Sequence, residues 1–278
     1  MLSKNNWREE ALINMTTHFS TGVTNVRGKQ GDTSLFSGIK QPLITGGYNQ
    51  EVAYQNDWIT FNDEDWDVTA AGGSEFMLTE YAGGWLRIGD DAPGAGEENG
   101  ISGKEIWQYN SGKQWWYETR IAVTDVSDYN FFVGFADNAF VNPVAVPTDC
   151  IVFSHLEDTT SIQFLSRKNS AGTSFDMKDS AAGSTYTMQD STVPTQTATV
   201  FAQPTNSVRL GFHFQPAGTE LGQTSAQYKL YLDGKKVGTQ AATTVPDDIA
   251  LELKIFVESK GTNANHLATD WVQTIQQR

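Results

Sequence analysis

Hydrophobic and polar positions alternate with a period of two over much of the C-terminal half of the chain. Val208, Leu210, Phe212 and Phe214 are interleaved with Arg209, Gly211 and His213, and Leu251, Leu253, Ile255 and Val257 with Glu252, Lys254 and Glu258. Successive side chains of a strand point to opposite faces, so this pattern predicts strands with one buried and one wet face. Tyr228, Leu230 and Leu232 continue it up to Asp233-Gly234, after which Lys235-Lys236-Val237 resumes. Asp-Gly supplies the positive φ angles of a type I′ hairpin turn. Further runs of strand character are Trp85–Ile88, Gln114–Val123, Asn130–Ala136, Cys150–Ser154, Ser161–Ser166 and Leu267–Ile275. No helical periodicity separates them. Many short strands without intervening helices predict an all-β fold, an antiparallel two-sheet jelly roll over residues 56–278. Residues 179–205, rich in Ser, Thr, Ala and Gln, read as a long excursion at a sheet edge.

Residues 1–55 differ. Gly22, Gly28, Gly31, Gly38, Pro42, Gly46 and Gly47 interrupt any regular element. A short helix is expected over 6–19, with Asn5 or Asn6 as cap and Glu9 and Glu10 in its first turn. The remainder reads as an extended N-terminal arm, which either packs on its own domain or lies on a partner.

The formal net charge is −14. Residues 1–55 hold five Lys and Arg against four Asp and Glu, so the whole negative balance belongs to the β-domain. Such acidity favours solubility and argues against a nucleic-acid partner, which demands a basic face. No run approaches the ~18 apolar residues of a membrane span, and residues 1–10 carry no apolar core of signal-peptide length. The expectation is a chain without membrane insertion or signal-directed export. The single cysteine, Cys150, sits in the apolar run Cys150-Ile151-Val152-Phe153 and reads as a buried structural thiol.

Four stretches carry a family resemblance: Trp115–Ile121 with Asp125-Val126 and Phe131–Asp137; Asp149–Phe153; Arg209–Phe212 through Tyr231–Lys235; and Leu267–Gln273 with the closing Gln276-Gln277-Arg278. Their order resembles the concanavalin A-like (laminin G-like) jelly roll in structural proteins of tailed bacteriophages. That resemblance spans residues 57–278 and no family pattern matches the arm. It implies a virion component assembled in the host cytoplasm. The expected role is capsid decoration, or cement, on the capsid surface, with the major capsid protein as partner and a homo-oligomer (trimer or dimer) at a symmetry site. Trp7, Arg8, Leu12, Ile13, Phe19, Arg27, Leu35 and Phe36 are then the arm's capsid-binding residues. The alternative is a carbohydrate-binding tail or fibre module that recognises host surface glycan.

Enzyme chemistry finds no foothold in the sequence. Retaining glycosidases of this fold carry Glu-x-Asp-x-(x)-Glu on one strand, and that spacing is absent. His18, His155, His213 and His266 are scattered, there is no His-Glu-x-x-His, and no nucleophile elbow occurs. The expectation is a non-enzymatic protein without a required cofactor. Asp90, Asp91, Glu97 and Glu98 on a Gly-rich loop are candidate calcium ligands, since calcium takes several hard oxygens, although a solvated acidic loop has the same composition. Trp85, Trp107 and Trp116 are candidates for glycan stacking, weighed against core packing. Trp115 and Trp116 must point to opposite faces of their strand.

Overall fold

The computed structural model describes residues 51–56, 58, 66–70, 77–79, 85–90, 94–103, 107–109, 112–137, 147–156, 161–192, 204–261 and 265–277. These form two eight-stranded antiparallel sheets packed face to face, and the described residues include no helix. The front sheet runs β14 (Lys235–Ala241), β13 (Gln227–Leu232), β12 (Val208–Gln215), β7 (Trp115–Val123), β16 (Asn265–Gln277), β4 (Trp85–Asp90) and β3 (Met77–Thr79), with β1 (Glu51–Asn56) also paired to β16. The back sheet runs β11 (Ala171–Asp176), β10 (Gln163–Lys168), β9 (Cys150–His155), β8 (Tyr129–Ala136), β15 (Ala250–Ser259), β5 (Glu98–Gly103) and β2 (Trp66–Ala70), with β6 (Trp107–Gln108) on β15. The expected all-β sandwich is the fold observed.

The period-two residues form the core as expected. Val208, Leu210, Phe212 and Phe214 of β12 and Leu251, Leu253, Ile255 and Val257 of β15 belong to one buried cluster between the sheets. Its centre is aromatic. Phe212 lies 5.5 Å from Tyr117, 5.7 Å from Phe164 and 5.8 Å from Tyr228, centroid to centroid. Two of the polar side chains in this core are tied into hydrogen bonds. The Trp115 indole N–H donates to Thr274 Oγ1 (2.7 Å), whose hydroxyl donates to the Trp116 carbonyl (2.9 Å). The Tyr228 hydroxyl lies 3.0 Å from Ser166 Oγ.

Two backbone features match local chemistry. Asp233 (φ 49°) and Gly234 (φ 75°) make the expected type I′ turn between β13 and β14. Gly134 on β8 has φ 142°, and a Cβ there would stand 2.5 Å from the Ile151 carbonyl oxygen on β9. That close approach needs glycine.

Three features depart from the pattern reading. Glu51–Asn56 is a strand paired with β16, Glu51 opposite Gln277, so the sandwich includes residues assigned to the end of the arm. Residues 98–100, read as the end of an acidic loop, open the strand β5 (Glu98–Gly103) between β15 and β2. The expected wet faces are not wet at the centre of either sheet: every residue of β8 and β9 in the back sheet is buried, as is every residue of β7 in the front sheet except Arg120. On the outward side of the back sheet, Phe132, Ala136, Cys150, Val152 and Phe256 form a second apolar cluster, with Phe132 and Phe256 stacked at 5.4 Å. Cys150 is buried there, and burial pushes its thiol pKa up, which suits an inert structural cysteine. The expected helix over 6–19 and the rest of the arm to residue 50 lie outside the described residues.

Candidate functional site: a polar cleft on the crossover between the sheets

The chain leaves the back sheet after β11 and joins the front sheet at β12. This crossover builds a cleft of about 340 Å³. One wall is Tyr186, Thr187, Met188 and Gln189, and the other is Thr205, Asn206, Ser207 and Val208. Met188 and Val208 are buried and form the floor.

Backbone hydrogen bonds fix the first wall to the sandwich. Tyr186 N–H donates to the Met177 carbonyl (2.7 Å), and Ser191 N–H to the Val123 carbonyl at the end of β7 (2.8 Å). Asp190 Oδ1 accepts from Val126 N–H (2.8 Å). Clips then join the walls: Asn206 Nδ2 donates to the Asp190 carbonyl (2.6 Å), Asn206 N–H to Ser191 Oγ (3.1 Å), and Thr192 N–H to Thr205 Oγ1 (3.2 Å). Arg120 on β7 braces Ser207. Its Nε donates to Ser207 Oγ (3.0 Å), its Nη1 pairs with Asp270 (2.9 Å), and its guanidinium lies 5.1 Å from the Trp85 ring.

The side chains offered to solvent are therefore those of Thr187, Gln189, Thr205 and Asn206, beside the half-buried ring of Tyr186. Burial, aided by the Asp233 charge, raises the Tyr186 pKa further above neutral; its hydroxyl is a donor there, as any tyrosine's is. Hydroxyl and carboxamide groups both donate and accept hydrogen bonds. Among the described residues, no Lys or Arg lines the cleft. Ligand sites of about 300–1,000 Å³ are usually lined mostly by apolar groups; this one is instead lined by hydroxyl and carboxamide groups, which complement a small, uncharged, hydroxyl-rich ligand.

No protein-family model matches the chain, and no curated protein matches its sequence. Solved structures do. The chain is similar to the carbohydrate recognition domain of Emp47p, with 10% identity and a TM-score of 0.53 over 81% of this chain and 96% of that one. The metal-free carbohydrate recognition domain of Emp46p gives 10% identity and a TM-score of 0.50 over 79% and 93%. A protein of unknown function from Shewanella oneidensis MR-1 gives 13% and 0.50 over 83% and 88%. The chain shares the two-sheet β-sandwich fold of these domains. At these identities the likeness is one of fold.

The residues singled out in the sequence fall elsewhere in this sandwich. Trp85, Trp107 and Trp116 are each 1% exposed or less. Trp107 is in the inter-sheet core, stacked on Trp115 at 6.1 Å. Trp116 lies on the outward face of the front sheet, stacked on His213 at 4.6 Å, and Trp85 packs with Ala122 and Ala268. They share no platform and present no ring to a sugar, so the stacking assignment is corrected. Trp107 faces the inter-sheet core, Trp85 is covered by its own cluster, and Trp116 is buried because both faces of β7 are covered.

Of the candidate calcium ligands, the Asp90 side chain and Asp91 lie outside the described residues. Glu98 opens β5 opposite Glu258, and burial together with the Glu258 charge raises its pKa. Glu97 is in the turn before it, bound back to β15 through Ser259 N–H to the Glu97 carbonyl (3.0 Å). Among the described residues, no three His, Cys, Asp or Glu side chains converge as a metal set. The arm residues Trp7, Arg8, Leu12, Ile13, Phe19, Arg27, Leu35 and Phe36 lie outside the described residues.

Sequence reading marked the crossover as polar but missed the cleft. Its hydroxyl and amide composition was the one available signal. The contacts that shape it, from Val123 and Val126, are distant in sequence.

Proposed function

We propose that this protein is a non-enzymatic carbohydrate-binding domain whose sugar site is the crossover cleft. The observation that carries this reading is the cleft's lining: Thr187, Gln189, Thr205 and Asn206 beside Tyr186, with no cationic side chain among the described residues. A sugar's hydroxyls donate and accept at once, as these groups do, and its C–H face packs against an aromatic ring. That lining, on a chain of net charge −14, favours neutral over anionic glycans. The fold supports the reading in a general way, because Emp46p and Emp47p carry carbohydrate recognition domains on it. A binding rather than catalytic role is supported by carboxylates engaged in ion pairs: Glu252 with Lys254 (2.9 Å), Glu258 with Lys260 (3.0 Å) and Asp270 with Arg120 (2.9 Å).

The resemblance to tailed-phage structural proteins supports placing the domain on a virion. Its copy number relative to the major capsid protein in purified particles tests that setting, hundreds of copies meaning capsid decoration and a handful meaning a tail or fibre. The binding reading is tested by presenting the full chain to an array of neutral and acidic glycans. Neutral glycans retained, with acidic ones ignored, is the expected result. A blank array, or turnover of any glycan, overturns it.

A further inference from the structure

The crossover cleft is closed at one end. Its walls run antiparallel and meet where residues 190–192 face residues 205–206. Asn206 Nδ2 donates to the Asp190 carbonyl, Asn206 N–H to Ser191 Oγ and Thr192 N–H to Thr205 Oγ1, with the two threonine hydroxyls 3.3 Å apart. This apex is anchored to the sandwich. Ser191 is buried and donates its N–H to the Val123 carbonyl, and the Asp190 carboxylate holds Val126 N–H.

From the apex the walls diverge. Among the described residues, no hydrogen bond joins residues 186–189 to residues 207–208. Each wall is held by a different sheet instead. Tyr186 N–H is bound to the Met177 carbonyl just after β11, and Thr187 bridges to Ser161 just before β10, both on the back-sheet side. Ser207 is held by Arg120 of β7 in the front sheet. The gap is therefore fixed by the sandwich and not by one loop. Its open end faces the exposed β13–β14 turn, since the Asp233 charge acts on Tyr186.

A blind trough decides which part of a glycan can enter. An interior residue of a linear chain is substituted at two positions, commonly on opposite sides of its ring, and needs two exits. The residue at the non-reducing end is substituted only through its anomeric carbon. Its other hydroxyls are free, and these are the groups that Thr187, Gln189, Thr205 and Asn206 can pair with. The volume agrees. About 340 Å³ lies at the low end of the ~300–1,000 Å³ of small-ligand sites, which leaves no room for a run of several rings. The reducing end of a surface glycan is taken up by its carrier.

We infer that the cleft recognises the non-reducing end of a neutral glycan, with the terminal residue inserted toward the Asn206 clips and the rest of the chain leaving past Tyr186. This rests on the sugar reading above and adds which part of the glycan is held.

Saturation-transfer NMR on the full chain tests it, because the method reports which protons of a weakly bound sugar touch the protein. The probes are the methyl glycosides of glucose, galactose, mannose, fucose and the two common N-acetylhexosamines, with linear disaccharides and tetrasaccharides ending in each. Saturation is expected only in the one or two residues at the non-reducing end of a bound tetrasaccharide. Its affinity should lie within about twofold of the disaccharide's, below the roughly 2–13-fold that one further hydrogen bond gives. Thr187→Val should weaken both by the same factor. Saturation of the inner or reducing-end residues, or a tetrasaccharide tighter than the disaccharide by that margin, overturns the inference and leaves the sugar reading standing. No saturation in any probe, or affinity unchanged by Thr187→Val, overturns both.

Discussion

Phe212 is the side chain whose loss the sandwich should feel most. It is fully buried and meets five aromatic rings, with centroids at 6.0 Å (Trp115), 5.5 Å (Tyr117), 6.4 Å (Phe135), 5.7 Å (Phe164) and 5.8 Å (Tyr228). Truncating a buried phenylalanine to alanine costs about 3–5 kcal/mol through lost transfer energy and the cavity left behind. Each favourable aromatic pair contributes about 0.5–1.5 kcal/mol beyond area burial. Phe212→Ala is therefore placed near the top of that range, at about 4–5 kcal/mol. At about 2–4 °C per kcal/mol for a domain approaching this size, the melting temperature should fall by roughly 10–15 °C. Phe212→Leu keeps most of the volume and should cost about 1–2 kcal/mol. Urea unfolding followed by tryptophan fluorescence measures both. A cycle with Tyr228→Leu isolates the perpendicular pair, with an expected coupling of about 0.5–1.5 kcal/mol. A cost below about 2 kcal/mol for Phe212→Ala, or equal costs for the two variants, would refute an aromatic centre locked between the sheets.

Other outcomes follow from the same packing. Gly134→Ala should destabilise by about 3 kcal/mol, combining an unfavourable backbone with a clash against the β9 backbone, and chemical denaturation checks this. Thr274→Val strands the Trp115 indole N–H and should cost about 1–3 kcal/mol, with Thr274→Ser recovering much of the loss in the same assay. Glu98 has a raised pKa in the folded state, so its contribution is complete below the unfolded carboxylate range and is lost as pH rises; Glu98→Gln should raise the melting temperature at pH 7 and leave it unchanged well below pH 4. Burial and the Asp247 charge push Tyr109 from 10.0 up to about 12, so stability should fall between those pH values and Tyr109→Phe should flatten that fall in an alkaline melting series.

The strands that were easiest to read from sequence are those whose inner residues alone decide the pattern. Val208 to Phe214 and Leu251 to Val257 fill the inter-sheet core, and Asp233-Gly234 turns by local chemistry. Strand β5 was hidden because Glu98-Asn99-Gly100-Ile101-Ser102-Gly103 has weak strand propensity and is held by ladders to β15 and β2. Period two tells which side chains share a face but not what covers it. That is why Trp116, on the face opposite Trp115, read as a candidate for exposure and is buried. The cleft was illegible for a related reason. Its walls are held by the Val123 carbonyl and Val126 N–H, partners separated from residues 190–191 by more than sixty positions.

The central claim is that the crossover cleft binds neutral sugar, and calorimetric titration tests it most directly. A neutral oligosaccharide retained on the array is titrated into the full chain and into Thr187→Val, Gln189→Ala and their combination. Each lost neutral hydrogen bond is worth about 0.5–1.5 kcal/mol, or roughly 2–13-fold in affinity. The account predicts weakening of that size for each single variant and about tenfold or more for the pair, with unchanged melting temperatures. Affinity that is the same in all four proteins would contradict it, and would move the sugar site off the crossover.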